Sequence, residues 1–166
     1  MPSTRISKEL NSRVYFLTFT VKNWYYIFDR HNRFEILGDS ISYCRRHKGL
    51  RLYAYVFMIN HIHLIASAPD MAAFVRDFKR HTSSEISKNI IATEPDLLRL
   101  FQTDEKWEFW QKTNMPKIIE SEDYFSQKVN YIHNNPVKKQ YVQNPEHWLW
   151  SSANPESTIK IDNIES

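Results

Sequence analysis

Apolar and polar positions alternate over 13–22 (RVYFLTFTVK), with Leu17, Phe19 and Val21 on one side and Thr18 and Thr20 on the other. Period-two alternation in a run rich in β-branched and aromatic residues predicts a strand with one buried face. Between 33 and 47 the period lengthens. Phe34, Leu37, Ile41 and Cys44 return every three or four residues, as on the inner stripe of an amphipathic helix. Residues 50–59 are apolar on both faces, which predicts a strand that is central or covered. Asn60 interrupts that run, and 61–67 resumes it close enough to pair back as a hairpin. A long helical pattern follows over 71–91, with Phe74, Phe78 and Ile86 facing inward. Residues 93–106 carry a mixed signal in which Leu97, Leu98 and Phe101 suggest a short helix, and 107–110 with 118–119 suggest a fourth strand. Ser121 followed by Glu122 and Asp123 has the form of a helix N-terminus. That last helix is expected to stop before Pro136, because proline disfavours helix at the residue before it. The order β-α-β-β-α-β-α predicts an α+β fold with an antiparallel sheet, close to the ferredoxin-like arrangement.

Composition adds limits. The chain has 166 residues, 42% hydrophobic, with 2 glycines and a single cysteine. These values suit one domain with a real core, and they exclude a disordered chain, a disulfide framework and a cysteine-built zinc site. Residues 1–12 read as a polar, flexible N-terminus and 153–166 as a polar C-terminal tail, with one continuous globular pattern over 13–152. The first ten residues lack the apolar stretch of a signal peptide, and no run reaches the roughly 18 apolar residues of a membrane helix. A cytoplasmic protein with no membrane partner is therefore expected. The net charge of +3 is mild, so its distribution carries more than its size. Arg45, Arg46, His47, Lys48 and Arg51 crowd the end of the first helix and the turn after it; Arg76, Lys79 and Arg80 share a face of the second; Lys138 and Lys139 follow the last. Such clusters neutralise phosphates, and they serve equally as solvated helix faces.

Two constellations could do chemistry. His61 and His63 stand at i and i+2 at the start of a strand, so both imidazoles point to one face. Two such nitrogens can hold a divalent ion, given a third ligand and an open position. Two ordinary sheet histidines would give the same pattern. On the last helix, Phe125, Val129 and Ile132 form the buried stripe, and Tyr124, Lys128, Tyr131 and Asn135 line a neighbouring one. Tyr131 and Asn135 are one turn apart and project together. A deprotonated phenol is a nucleophile, and a carboxamide oxygen can ligate a hard cation. The phenol is mostly protonated at neutral pH, so a nearby cation or base must help it, and Lys128 is one turn away. A helix tyrosine that only packs is the plain alternative.

Together, NHIHLI at 60–65, KVNYIHNNPVKK at 128–139 and PEHWLWSS at 145–152 resemble the single-tyrosine HUH transposases of small insertion sequences. The resemblance is to their REP-associated branch, which acts at repetitive extragenic palindromes, and it covers roughly 13–152. It implies a ferredoxin-like core with the histidine pair on a central strand, and a Mg²⁺ or Mn²⁺ ion held by His61 and His63 with Asn135 as third ligand. It implies Tyr131 as the nucleophile. The implied partner is single-stranded DNA carrying a palindromic hairpin, bound by a monomer or a homodimer. DNA contacts would then fall to Arg45, Arg46, Lys48, Arg51, Arg76, Lys79, Arg80 and Lys128. Two features depart from the branch: Ile59 stands where proline is frequent, and 112–117 lacks the usual aromatic and basic pattern. Three other readings remain. They are a non-catalytic, domesticated hairpin-binding protein, a two-histidine phosphoesterase (whose second His-x-Thr or His-x-Ser motif is missing), and an RNA-binding module stacking bases on residues 53, 55 and 57.

Overall fold

The computed structural model describes residues 12–164. In chain order they form β1 (Tyr15–Thr20), α1 (Arg33–His47), β2 (Arg51–Phe57), β3 (His61–Ser67) and α2 (Met71–Thr93). Then come α3 (Leu98–Phe101), β4 (Gln102–Thr103), β5 (Lys106–Trp107), β6 (Lys117–Ile118) and α4 (Glu122–Lys138). One antiparallel sheet runs β2-β3-β1-β6, the ferredoxin-like order, and β4 and β5 form a separate hairpin. The expected fourth strand is thus only Lys117–Ile118; Trp107 belongs to the small hairpin and Trp110 makes a lone bridge to Val21.

The alternation read from the sequence sets the layers. Leu17, Phe19, Ile62 and Leu64 face α1 and α2, where Leu37, Ile41, Phe74 and Phe78 complete one core. Phe16, Val56 and Ile65 face the other way and meet Ile132, with Phe125 and Val129, on α4. Each fully buried side chain of this size contributes about 1.5–3 kcal/mol over its exposed form. Asp70 caps α2 by accepting from the Ala73 N–H at 3.0 Å, and Ser121 caps α4 by accepting from the Tyr124 N–H at 3.1 Å.

Three expectations change, and one is met by its second alternative. Helix α4 does not stop before Pro136 but runs through it to Lys138. A proline so near the end removes one intrahelical bond, and its ring is buried in exchange. Strand β2 meets the second of its two expected alternatives: it is an edge strand, apolar on both faces because α1 packs on one and α4 on the other, and its free edge is covered as well. Phe57 N–H donates to the Trp150 carbonyl at 2.8 Å, Ser152 N–H to Tyr55 O at 3.0 Å, and the Trp148 indole to Phe57 O at 2.8 Å. Such pairing shields an edge that would otherwise invite association. The polar tail, over 153–164, also packs. Ile159 is buried on the α1 side, and Asp162 exchanges two hydrogen bonds with the Leu52 backbone, at 2.7 and 2.9 Å. Finally, Tyr53, Tyr55 and Phe57 are buried, so they offer no platform for RNA bases. The flexible N-terminus expected over 1–12 lies, but for its last residue, outside the described residues.

Candidate active site

His61 and His63 open β3 on the α4 face, opposite Thr20 and Thr18 of β1. Helix α4 crosses this face with Ile132 pressed into the core, which turns Tyr131 and Asn135 toward the histidines. The ring centroids of His61 and His63 are 4.8 Å apart, and that of Tyr131 is 5.3 Å from that of His63. Phe16 stacks under His63 at 5.3 Å. Both imidazoles and Asn135 are buried, whereas Tyr131 is 45% exposed. The result is a cleft of about 390 Å³ with buried nitrogen donors at its floor and a phenol on its wall.

Hydrogen bonds assign the tautomers. Asn60 donates from Nδ2 to the Trp24 carbonyl at 3.2 Å, which leaves its Oδ1 facing His61 Nδ1 at 2.7 Å. That oxygen only accepts, so Nδ1 carries the proton and Nε2 keeps its lone pair. Asn135 Nδ2 lies 3.4 Å from this Nε2. His63 Nδ1 pairs with the Thr18 hydroxyl at 2.9 Å, and its Nε2 is buried with no hydrogen-bond partner. Burial, aided by the charge of Lys139, pushes His61 down to about 4. Burial, with His61 and Lys128 beside it, holds His63 well below the usual imidazole range. Both rings are therefore neutral at pH 7, the form that ligates metals.

A partnerless buried imidazole nitrogen is costly unless something occupies it. Among the described residues no three His, Cys, Asp or Glu side chains gather as a metal cluster. The donor set that fits a divalent ion is instead His61, His63 and the amide of Asn135. A half-turn of that carboxamide presents Oδ1, the harder donor, to the same point. Among the described residues no carboxylate lines the cleft, and its charges are Lys117, Lys128 and Lys139. Lys128 Nζ sits 5.1 Å from the Tyr131 ring centroid and 4.7 Å from that of Phe16, and burial together with Lys117 lowers its pKa. A cationic cleft with neutral nitrogen donors and an adjacent phenol is suited to a phosphodiester.

A family model described as Transposase IS200 like matches residues 10–135, most of the chain and every residue of the histidine–tyrosine–asparagine set. The chain belongs to the IS200-like transposase family. Among solved structures it is similar to a REP-associated tyrosine transposase bound to a REP hairpin, at 18% identity and a TM-score of 0.70, over 92% of this chain and 82% of that one. It is also similar to a putative transposase from Deinococcus radiodurans R1, at 20% identity and a TM-score of 0.50, over 81% of this chain and 97% of that one. At these identities the likeness shows a shared fold. No curated protein matches the chain. No helix among the described residues is long and apolar enough to cross a membrane.

The structure of this transposase brings Lys128 into the cleft and leaves the other expected DNA contacts elsewhere. Arg45, Arg46 and Lys48 end α1, and Arg76, Lys79 and Arg80 lie on α2, both helices on the opposite face of the sheet. Arg51 begins β2, at the end remote from His61. Arg45 is tied to Asp162 at 3.2 Å and to the Lys160 carbonyl, and Lys79 donates to the carbonyls of Gln111 and Lys112 at 2.8 and 3.2 Å. Lys48, Arg76 and Arg80 surround Asp77 at 3.1–3.5 Å. Sequence reasoning missed Trp24, Lys117 and Lys139 as cleft residues. Lys117 could have been found only through its register opposite Phe16, which a two-residue strand does not announce.

Proposed function

We propose that this transposase cleaves and rejoins single-stranded DNA beside a palindromic hairpin through a 5′-phosphotyrosine on Tyr131. The observation that carries the reading is the half-exposed phenol of Tyr131 set 5.3 Å from the buried ring of His63, whose Nε2 has no partner. In the forward step the Tyr131 oxygen attacks phosphorus in line. The phenol loses its proton, the bond from phosphorus to the 3′ oxygen breaks, and that oxygen leaves as a hydroxyl by taking up a proton. The 5′-phosphate remains on the tyrosine, so a second 3′-hydroxyl can reverse the step and join a new strand with no further energy source. Lys128, over the phenol ring, places a cation beside the negative charge that gathers on the reacting phosphate. Lys117 and Lys139 neutralise the phosphates that approach it.

His61, His63 and Asn135 would hold Mg²⁺ or Mn²⁺, which supplies polarisation of a phosphate oxygen when bound. A hairpin partner is supported by the fold shared with the hairpin-bound transposase. The exposed Arg46, Arg76 and Arg80 would meet DNA outside the cleft. The test uses single-stranded hairpins from palindromes flanking the protein's own gene, with Mg²⁺ or Mn²⁺, on denaturing gels beside EDTA, Tyr131→Phe and His61→Ala. A metal-dependent protein–DNA adduct that vanishes in Tyr131→Phe is expected. Cleavage that survives Tyr131→Phe would make water the nucleophile and overturn the mechanism. Hairpin binding with no adduct, cleavage or joining would identify a non-catalytic binding protein.

A further inference from the structure

The turn between β1 and α1 holds a large aromatic side chain out of the core, at the rim of the cleft. Trp24 is 54% exposed, although indole is among the side chains that gain most from burial. Its backbone adopts φ +58°, and Asn23 before it φ +54°, a left-handed conformation that disfavours any residue with a Cβ. A bulky residue stays there only when its surroundings over-determine it. They do so here. Trp24 N–H donates to Val21 O at 2.9 Å, and Asn60 Nδ2 donates to Trp24 O at 3.2 Å. The other side of the same Asn60 carboxamide accepts from His61 Nδ1. One side chain thus fixes both the indole-bearing turn and the orientation of a cleft imidazole.

The ring contacts form a line: Trp24 to His61 at 5.7 Å, His61 to His63 at 4.8 Å, and His63 to Tyr131 at 5.3 Å. The nucleophile stands at one end and the indole at the other. Trp24 touches His61 edge-on, at an interplanar angle of 67°, and His61 is its only ring partner among the described residues. Lys139, whose charge acts on His61, also lines the cleft.

We infer that Trp24 is a stacking platform for an unpaired nucleobase, the one adjoining the phosphate that Tyr131 attacks. The inference rests on the function proposed above and adds a binding subsite to it. An exposed indole stacks on any base by its π-face, and each such contact is worth roughly 5- to 150-fold in affinity. Stacking would hold the strand single and draw its phosphate over the histidines. The turn's cost in backbone conformation is then a means of presenting the ring before DNA arrives.

The test uses the full chain carrying Tyr131→Phe, in EDTA, so that binding is read apart from chemistry. The probes are the flanking hairpins with 2-aminopurine placed in turn at each single-stranded position. One position is expected to be quenched on binding. Trp24→Ala should abolish that quench and weaken binding roughly 5- to 150-fold, while Trp24→Phe keeps part of both. An abasic site at the same nucleotide should make Trp24→Ala silent. A Trp24→Ala defect that persists on the abasic probe would show that Trp24 only props His61, and would overturn the inference. So would an undiminished quench in Trp24→Ala. In parallel, adduct formation is followed with Tyr131 intact and metal present. Adduct formation with Trp24→Ala behaving as wild type sinks the subsite alone. Base-dependent stacking without any adduct sinks the transposition chemistry and leaves the subsite standing.

Discussion

Replacing Ser152 with alanine removes one oxygen and should lower stability by about 1.5–4.5 kcal/mol. The hydroxyl accepts from the Tyr55 N–H at 3.0 Å and pairs with His133 Nε2 at 2.8 Å. Tyr55 is fully buried, so its N–H would be stranded, at a cost of about 1–3 kcal/mol. The lost pairing with His133 adds about 0.5–1.5 kcal/mol. For a chain of this length each kcal/mol shifts Tm by roughly 2–4 °C, so a fall of about 3–18 °C is expected in calorimetry or circular dichroism. His133 lies on α4, two residues from Tyr131, so the bond ties the helix that carries Tyr131 to the sheet edge. His133→Ala and Ser152→Ala should therefore combine to less than the sum of their separate effects. A Tm change below about 2 °C, or strict additivity, would refute the claim that this hydroxyl anchors α4 to β2.

Three further outcomes are expected. In EDTA, stability should fall as pH drops from about 6.5 toward 4. His61 is depressed from 6.5 to about 4, so in that window the unfolded chain binds the extra proton, costing the folded state about 3 kcal/mol by the lower end. A flat urea-denaturation free energy between pH 7 and 4.5 would contradict the neutral, buried imidazole. Metal and DNA should bind cooperatively, because two imidazoles and an amide with no carboxylate make a weak site among lysines until phosphate oxygens join it. Calorimetric titration of Tyr131→Phe with Mn²⁺ should show tighter binding in the presence of hairpin DNA, and equal affinity in both would defeat that argument. Lys128→Met should slow adduct formation, since the charge that gathers on the reacting phosphate loses a nearby cation. An unchanged rate would remove Lys128 from the reaction.

What could be read in the sequence was what local periodicity encodes. The i, i+2 spacing of His61 and His63 put both rings on one face, and the 3.6-residue period of α4 put Tyr131 and Asn135 on one stripe. The alternation of β1 separated Leu17, Phe19 and Val21 from Thr18 and Thr20, and with them the two layers of the fold. What was hidden depends on tertiary context. Pro136 reads as a helix stop, yet burial in the last turn outweighs one missing hydrogen bond. Trp24 reaches the cleft through a left-handed turn held by Asn60, far along the chain, and no periodicity marks it.

The Trp-Ser-Ser segment is the most instructive case. As sequence it is a signature without chemistry; in the fold its partners are main-chain groups of β2, which leave no pattern of side-chain polarity. Trp148, Trp150 and Ser152 recur at every second position and serve the exposed edge of β2 in turn: an indole N–H to Phe57 O, a carbonyl to Phe57 N–H, a hydroxyl to Tyr55 N–H. Trp150 also stacks on Phe57 at 5.8 Å and on Phe34 of α1 at 5.5 Å, so the same segment grips the α1 side of the sheet. Through Ser152 and His133 it reaches α4. The segment that closes the sheet edge is therefore also the one that holds the helix of Tyr131 against the histidine strand. A change there should disturb the geometry of the cleft without touching any residue that lines it.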